Sequence, residues 1–476
     1  MVRHAGCLCL CGFCHPVQRF EVLIMPMTIP ATSAAARGSS VSRELADWLS
    51  QLRRNQRLDF SPVPVMSSPP VYTLTKGTGL SAVGISSGGT GYTVGNVLTV
   101  VGGTSAAAAS ITVVSVSSEG AITAAAVGKP GVYTATPANP ASVTGGSGTG
   151  ATFNLTWNAG VASSIYNGAT WSRSGAWFSY LGSNIANLPD ASGYMGNGNG
   201  NGTQCAISFC SDAPALDFRL IGFNCQYDLY VDGQRISSAA VTTDTSGAPY
   251  IYTIDWGGVV KTRTYTLRGV NTAFGGVIVG QSYTLWAPTR WRPTVWQLGD
   301  SYTFGTMASQ SSFNDFRIIC DTLGFDGLAD GVGGSGWVST GSVQPQQRIM
   351  SKLWTLTRKP EYVFLSLGYN DWATTNFTLL QTNFTESVAL IRQFCPMAKI
   401  IVMGPATPIG SNAQLNAIRS AIMALCSTLG LPFIDVSDWV NARNKTLYTA
   451  YDNVHPNDAG YAFRAARFSQ ALLGVL

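Results

Sequence analysis

The sequence predicts a multidomain chain ending in a three-layer α/β domain, a parallel sheet between helices, preceded by a β-repeat domain and a β-sandwich. Three observations carry this. Residues 289–476 alternate short apolar runs with stretches of helical spacing, the pattern of strand–helix–strand units. Residues 71–158 contain an internal repeat of short β-type runs and glycine-rich turns. Residues 159–288 hold alternating apolar and polar runs separated by turn signals.

A chain of 476 residues suggests roughly two to four domains. Charged residues make up only 11%, and 29 Lys and Arg against 24 Asp and Glu leave a net charge of +5. The densest basic run is Arg53-Arg54-Asn55-Gln56-Arg57, so nucleic acid is not implied as a partner. No apolar stretch reaches the length of a membrane span. Low charge with 52 glycines suits an extracellular or virion (tail) protein better than a cytosolic enzyme. The ten cysteines show no metal spacing outside the first residues, and no cofactor is expected. Cys320, Cys395 and Cys426 sit in apolar helical patterns and read as buried thiols. Cys205 with Cys210 or Cys225 are candidates for a disulfide in an oxidising setting.

Residues 1–27 form a head crowded with Cys7, Cys9, Cys11 and Cys14. Cys11-Gly12-Phe13-Cys14-His15 has the form of a c-type haem attachment, but no haem-binding helical domain surrounds it. His15, Pro16, Arg19 and Glu21 break its apolar run, against a secretory signal. The preferred reading starts the native chain at Met25 or Met27. Residues 28–70 combine a helix, with Leu45, Trp48, Leu49 and Leu52 at helical spacing, and a Pro-containing linker. This suits virion attachment or oligomerisation, or a helix packing on its own chain. In the repeat of residues 71–158, Gly79–Val83 through Gly91-Tyr92-Thr93 matches Gly120–Ala124 through Val132-Tyr133-Thr134, and Tyr92 and Tyr133 are 41 residues apart. It resembles glycine-rich β-repeats of phage tail and fibre proteins, often trimeric, so a homotrimer is an expectation by analogy. In residues 159–288, Tyr227–Arg235 alternates and turns at Asp232-Gly233, a hairpin signal. Tyr250–Trp256 and Thr262–Leu267 alternate likewise. In residues 289–476, strands are expected near 294–298, 362–367, 399–403 and 432–435, and helices near 313–323, 377–394, 412–429 and 459–473.

Four blocks of this last region bear chemistry. The apolar run Val295–Leu298 ends in Gly299-Asp300-Ser301, a turn that places a serine hydroxyl at the carboxyl end of a strand, where open α/β sheets bind ligands. The only histidine outside the first residues is His455, within Asp452-Asn453-Val454-His455. A serine hydroxyl needs a base, and the base needs a carboxylate to orient it. Asp452 is placed to do so from the same turn. Between these lie the glycine loop Asp330-Gly331-Val332-Gly333-Gly334-Ser335-Gly336 and the strand end Gly368-Tyr369-Asn370-Asp371. A glycine N–H and an Asn amide are the donors that a tetrahedral oxyanion needs.

In type and chain order these blocks resemble the SGNH (GDSL-like) hydrolase family, over about residues 290–476. The resemblance implies Ser301 as nucleophile and oxyanion donor, Gly334 and Asn370 as further donors, His455 as base and Asp452 as its orienting group. Gly331, Gly333 and Gly336 compete with Gly334 for its place. The loop reads Ala329-Asp330-Gly331 where the family often carries an Asn upstream of its glycine. Asp300 and Asp371 read as acceptors for the turn backbone. A sandwich just before such a domain is similar to carbohydrate esterases with a jelly-roll partner. The expectation is a serine esterase removing a short acyl group, acetyl, from a polysaccharide, with Tyr302, Trp337 and Trp372 near the site. Rival readings are a lipase-type esterase, acyl transfer to another sugar, and a phage tail or fibre receptor-binding protein whose hydrolase domain is inactive or secondary.

Overall fold

The computed structural model describes residues 44–46, 48–50, 63–173, 175–182, 204–270, 273–288, 291–339, 341, 343–356, 358–406 and 413–476. The chain divides into a unit of residues Met1–Gln51 and a unit of Leu52–Leu476. In the first, the described residues 44–46 and 48–50 are α-helical, on the stretch where leucine spacing predicts a helix. The cysteine-rich head lies outside the described residues.

Strand formation in the C-terminal domain follows from burial on both faces, which favours continuous apolar runs. Five strands, β1 (Thr294–Gly299), β2 (Asp326–Gly331), β3 (Tyr362–Ser366), β4 (Lys399–Met403) and β5 (Phe433–Ile434), form a parallel sheet in the order β2-β1-β3-β4-β5. Trp296, Val363 and Ile400 stand in register across it, as do Leu298, Leu365 and Val402. That face shares one core with α3 (Pro345–Lys352), α4 (Phe377–Phe394) and α5 (Ala413–Leu429), through Ile349, Phe384, Val388, Ile418 and Ile422. Helices α2 (Asp315–Leu323) and α7 (Asp458–Val475) pack on each other instead. Asn314, Asn376 and Asn457 cap α2, α4 and α7, each side chain accepting a first-turn N–H. Two short helices, α1 (Ser301–Phe304) and α6 (Lys445–Tyr448), complete the domain.

The chain winds outward from β1 to β2 and then crosses back to β3. This reversal leaves a crevice between the carboxyl ends of β1 and β3, where such sheets place ligands. Ser301 follows β1, and Asn370 follows β3. Strand β2 carries no strand signal of its own, because Asp326-Gly327-Leu328-Ala329-Asp330-Gly331 has no β-branched residue and contains two Asp-Gly turn signals. As an edge strand it pairs on one side only.

Two antiparallel sheets of five and seven strands form the sandwich, with Phe209, Phe218, Tyr252, Tyr265 and Phe274 in its core. The Asp232-Gly233 turn joins Gln226–Val231 to Gln234–Arg235 with Val231 opposite Gln234, and both turn residues have positive φ, 50° and 84°. The strand Val71–Lys76, placed with the repeat in the sequence reading, pairs antiparallel with Pro249–Asp255 and forms an edge of the sandwich. The repeat region folds as a six-stranded antiparallel sheet and a two-stranded one. Its matching tyrosines, Tyr92 and Tyr133, are both buried in the same small core. No disulfide forms among the described cysteines. Cys205 and Cys210 lie five residues apart in one strand, roughly 16 Å by strand rise, beyond disulfide reach. Cys225 lies beyond the intervening strand Arg263–Val270, roughly two strand spacings or about 10 Å from Cys205. Among the described residues, no helix is long and apolar enough to cross a membrane, and no group of three or more His, Cys, Asp or Glu is placed to hold a metal.

Candidate active site

Strand β1 stops at Gly299, and the chain turns at once into α1. Asp300 caps that helix, its Oδ1 accepting the Tyr302 N–H at 2.9 Å, and Gly305 ends it in a left-handed conformation. Ser301 is therefore the first residue of a sharp strand-to-helix turn. Burial pushes the Asp300 carboxyl up to about 6, against the pull of the Tyr302 N–H and the charges of Arg464, His455 and Arg348.

The sheet edge brings the two ends of the domain together. His455 Nε2 lies 2.8 Å from Ser301 Oγ, and its Nδ1 lies 2.6 Å from Asp452 Oδ2. Asp452 Oδ1 accepts the N–H groups of Val454 (2.9 Å) and His455 (3.0 Å), so one carboxylate shapes the turn and holds the ring. Asn453 takes a left-handed φ of 58°, which Asn tolerates. Burial raises the Asp452 carboxyl, but these three hydrogen bonds outweigh it and hold the group below the ordinary carboxylate value. Tyr302 supports the same turn from beneath, its OH donating to the Val454 carbonyl and its ring centroid 5.7 Å from that of His455.

The glycine loop starts at Val332, because Asp330 and Gly331 belong to the end of β2. A Cβ on Gly331 would meet the Phe304 nitrogen at 2.2 Å, so its absence lets α1 pack on the strand end. Gly336 donates its N–H to Ser339 O at 2.5 Å. Among the described residues, the N–H groups of Gly333, Gly334 and Ser301 donate to no partner. Gly334 has φ +74°, a conformation L side chains rarely adopt. Asn370 Nδ2 donates to Ser335 O at 2.9 Å and lies 3.4 Å from Asp300 Oδ2, which ties the third block to the loop and the nucleophile turn. Asp371 accepts the N–H groups of Trp337 (2.7 Å), Val338 (2.9 Å) and Ser339 (2.7 Å). Both flanking carboxylates thus bind turn backbone.

Three further residues shape the site without a signal in the sequence. Arg348 of α3 is buried behind the loop. It reaches Gly299 O (2.8 Å), Ser335 Oγ (3.0 Å) and Asp330 Oδ2 (3.3 Å) and so joins the ends of β1 and β2. Arg464 of α7 pairs with Asp315 at 2.8 Å and lies 4.8 Å over the Tyr302 ring. Tyr461 donates to Thr306 O at 2.7 Å. Tyr302 and Trp337, expected near the site, are 3% and 0% exposed; Tyr302 packs against His455, whereas Trp337 packs against Phe384 in the core. Trp372, two residues after Asn370, is 56% exposed, and Tyr451, next to Asp452 in the chain, is 87% exposed. Tyr451 escaped the sequence reading, although its place next to Asp452 was a usable signal.

Residues 298–463 match the GDSL-like Lipase/Acylhydrolase family. No curated protein matches the chain. Among solved structures, the salicylyl-acyltransferase SsfX3 from a tetracycline biosynthetic pathway is 18% identical, over 65% of this chain and 98% of that one, with a TM-score of 0.52. A family two carbohydrate esterase from Clostridium thermocellum is 18% identical, over 58% and 94%, with a TM-score of 0.48. The acetyl xylan esterase Est2A from Butyrivibrio proteoclasticus is 14% identical, over 65% and 99%, also with a TM-score of 0.48. The SsfX3 likeness is one of fold. The chain thus carries, at residues 298–463, a domain of the GDSL-like lipase/acylhydrolase family.

Proposed function

We propose that the protein is a serine esterase that removes a short acyl group, acetyl, from a polysaccharide. The observation that carries the reading is the hydrogen-bonded line Ser301–His455–Asp452, at 2.8 and 2.6 Å. Ser301 Oγ attacks the ester carbonyl while His455 Nε2 takes its proton. Asp452 keeps the His455 Nδ1–H fixed and stabilises the imidazolium. The developing oxyanion is held by the N–H groups of Ser301 and Gly334 and by the Asn370 amide. His455 returns the proton to the leaving alcohol, and a water activated by the same base releases the acid.

One feature supports a sugar as the carrier of the acyl group. Trp372 and Tyr451 expose flat apolar rings next to residues of the site, the surface on which the C–H face of a sugar packs. The test compares acetyl with long-chain nitrophenyl esters and assays acetate release from an acetylated polysaccharide. Faster cleavage of short esters, with acetate released, is expected. Preference for long chains and no acetate would replace this reading with a lipase-type one.

The oxyanion assignment has its own test. Asn370→Ala is expected to lower turnover by about a hundredfold to a thousandfold with little change in KM, because the donor acts on charge formed in the transition state. An unchanged kcat would remove Asn370 from that role.

A further inference from the structure

The sandwich contributes no residue to the Ser301–His455–Asp452 line, yet it grips the segment that joins the two halves of that line. Residues 306–315 leave α1 and lead into α2. On one side they hold the nucleophile helix: Thr306 N–H donates to Ser301 O at 3.0 Å, and Asn314 Nδ2 donates to Thr303 O at 3.0 Å. They also hold α7, which starts three residues after His455. Ser309 donates its N–H and Oγ–H to Asp458 at 2.8 and 2.6 Å, and Asp315 accepts from Arg464 at 2.8 Å.

On the other side the same segment is held by the sandwich hairpin. Buried Asp228 accepts the Ser312 hydroxyl at 2.6 Å. Buried Arg235 donates to Asp228 at 2.9 Å and to Gln310 Oε1 at 3.0 Å, and lies 5.5 Å over the Phe313 ring. Within the segment, Met307 takes a φ of 70°, a left-handed conformation that an L side chain adopts only where its surroundings impose it.

We propose that this interdomain grip sets the approach of Ser301 to His455, so that Ser309, Gln310 and Ser312 are positioning residues of the esterase and the sandwich is part of its catalytic scaffold. The proposal rests on the esterase reading above. Displacement of a few tenths of an ångström between α1 and the His455 turn lengthens the 2.8 Å proton-transfer contact, which slows chemistry without touching substrate binding.

The experiment uses the full chain with Ser312→Ala and, separately, the double variant Ser309→Ala/Gln310→Ala, whose residues lie nearer the surface. Each is assayed for kcat and KM on nitrophenyl acetate, rate of Ser301 labelling by a fluorophosphonate, and thermal unfolding. We expect kcat per folded molecule and the labelling rate to fall together by about tenfold, with KM within about twofold, and Ser312→Thr to restore both. Both rates holding within about twofold of wild type per folded molecule, whatever the change in unfolding temperature, would reduce the grip to a structural contact and overturn the proposal. Ester hydrolysis by Ser301→Ala at the wild-type rate would sink the esterase reading itself, and the proposal with it.

Discussion

Ser301→Ala is expected to lower kcat for a short-chain nitrophenyl ester by on the order of a millionfold, the loss typical when the nucleophile of such a triad is removed. The residual rate reflects oxyanion donors and binding alone. The effect is separable from folding. The Ser301 hydroxyl contacts His455 Nε2, whereas its carbonyl, which accepts the N–H groups of Gly305 and Thr306, is untouched by the substitution. Thermal unfolding within a few degrees of wild type, with activity gone, is the expected pair of results. Retained hydrolysis in a folded variant would show that the chemistry lies elsewhere on the chain.

Asp452→Asn should cost about ten-thousandfold in kcat at neutral pH. Its Oδ1 can still accept the Val454 and His455 N–H groups, so the turn persists. An amide N–H facing His455 Nδ1, however, selects the tautomer with a protonated Nε2, which cannot take the Ser301 proton. There is a stability signature as well. The Asp452 carboxyl is held below its ordinary value, so its contribution is present above the unfolded value of about 3.9 and is lost as pH falls through the folded value. Wild type should lose this contribution in acid, and the variant should lack it at every pH. The comparison needs kcat at neutral pH and thermal unfolding as a function of pH. A kcat within tenfold of wild type would mean that the His455 ring is oriented without Asp452.

The parts of the site that could be read from the chain are those built from one local turn. Gly299-Asp300-Ser301 is a strand end with its own helix cap, and Asp452 through His455 is a turn closed by its own carboxylate. Gly368 through Asp371 likewise follows a strand directly. Apolar runs buried on both faces marked β1, β3, β4 and β5 for the same reason, since periodicity and turn chemistry act over a few residues.

What escaped depends on contacts between residues far apart. Arg348 reads as an ordinary charge on a short polar helix, and only packing reveals it as the buried tie between β1 and β2. Arg464 beneath Tyr302 is a case of the same kind. Trp337 and Trp372 are alike in sequence terms, yet one fills the core beside Phe384 and the other faces solvent.

Residue type and local spacing were enough to give the chemical groups, their order along the chain and most of the alternating strands and helices that carry them. The three-dimensional arrangement settled that Ser301 and His455 meet, that Gly331 and Gly336 are committed to packing and turn hydrogen bonding while the N–H groups of Gly333 and Gly334 have no partner among the described residues, and that Val71–Lys76 completes a sheet begun beyond residue 159. The first and last of these rest on the winding of the sheets, which brings together residues more than 150 positions apart and which no short window of sequence contains.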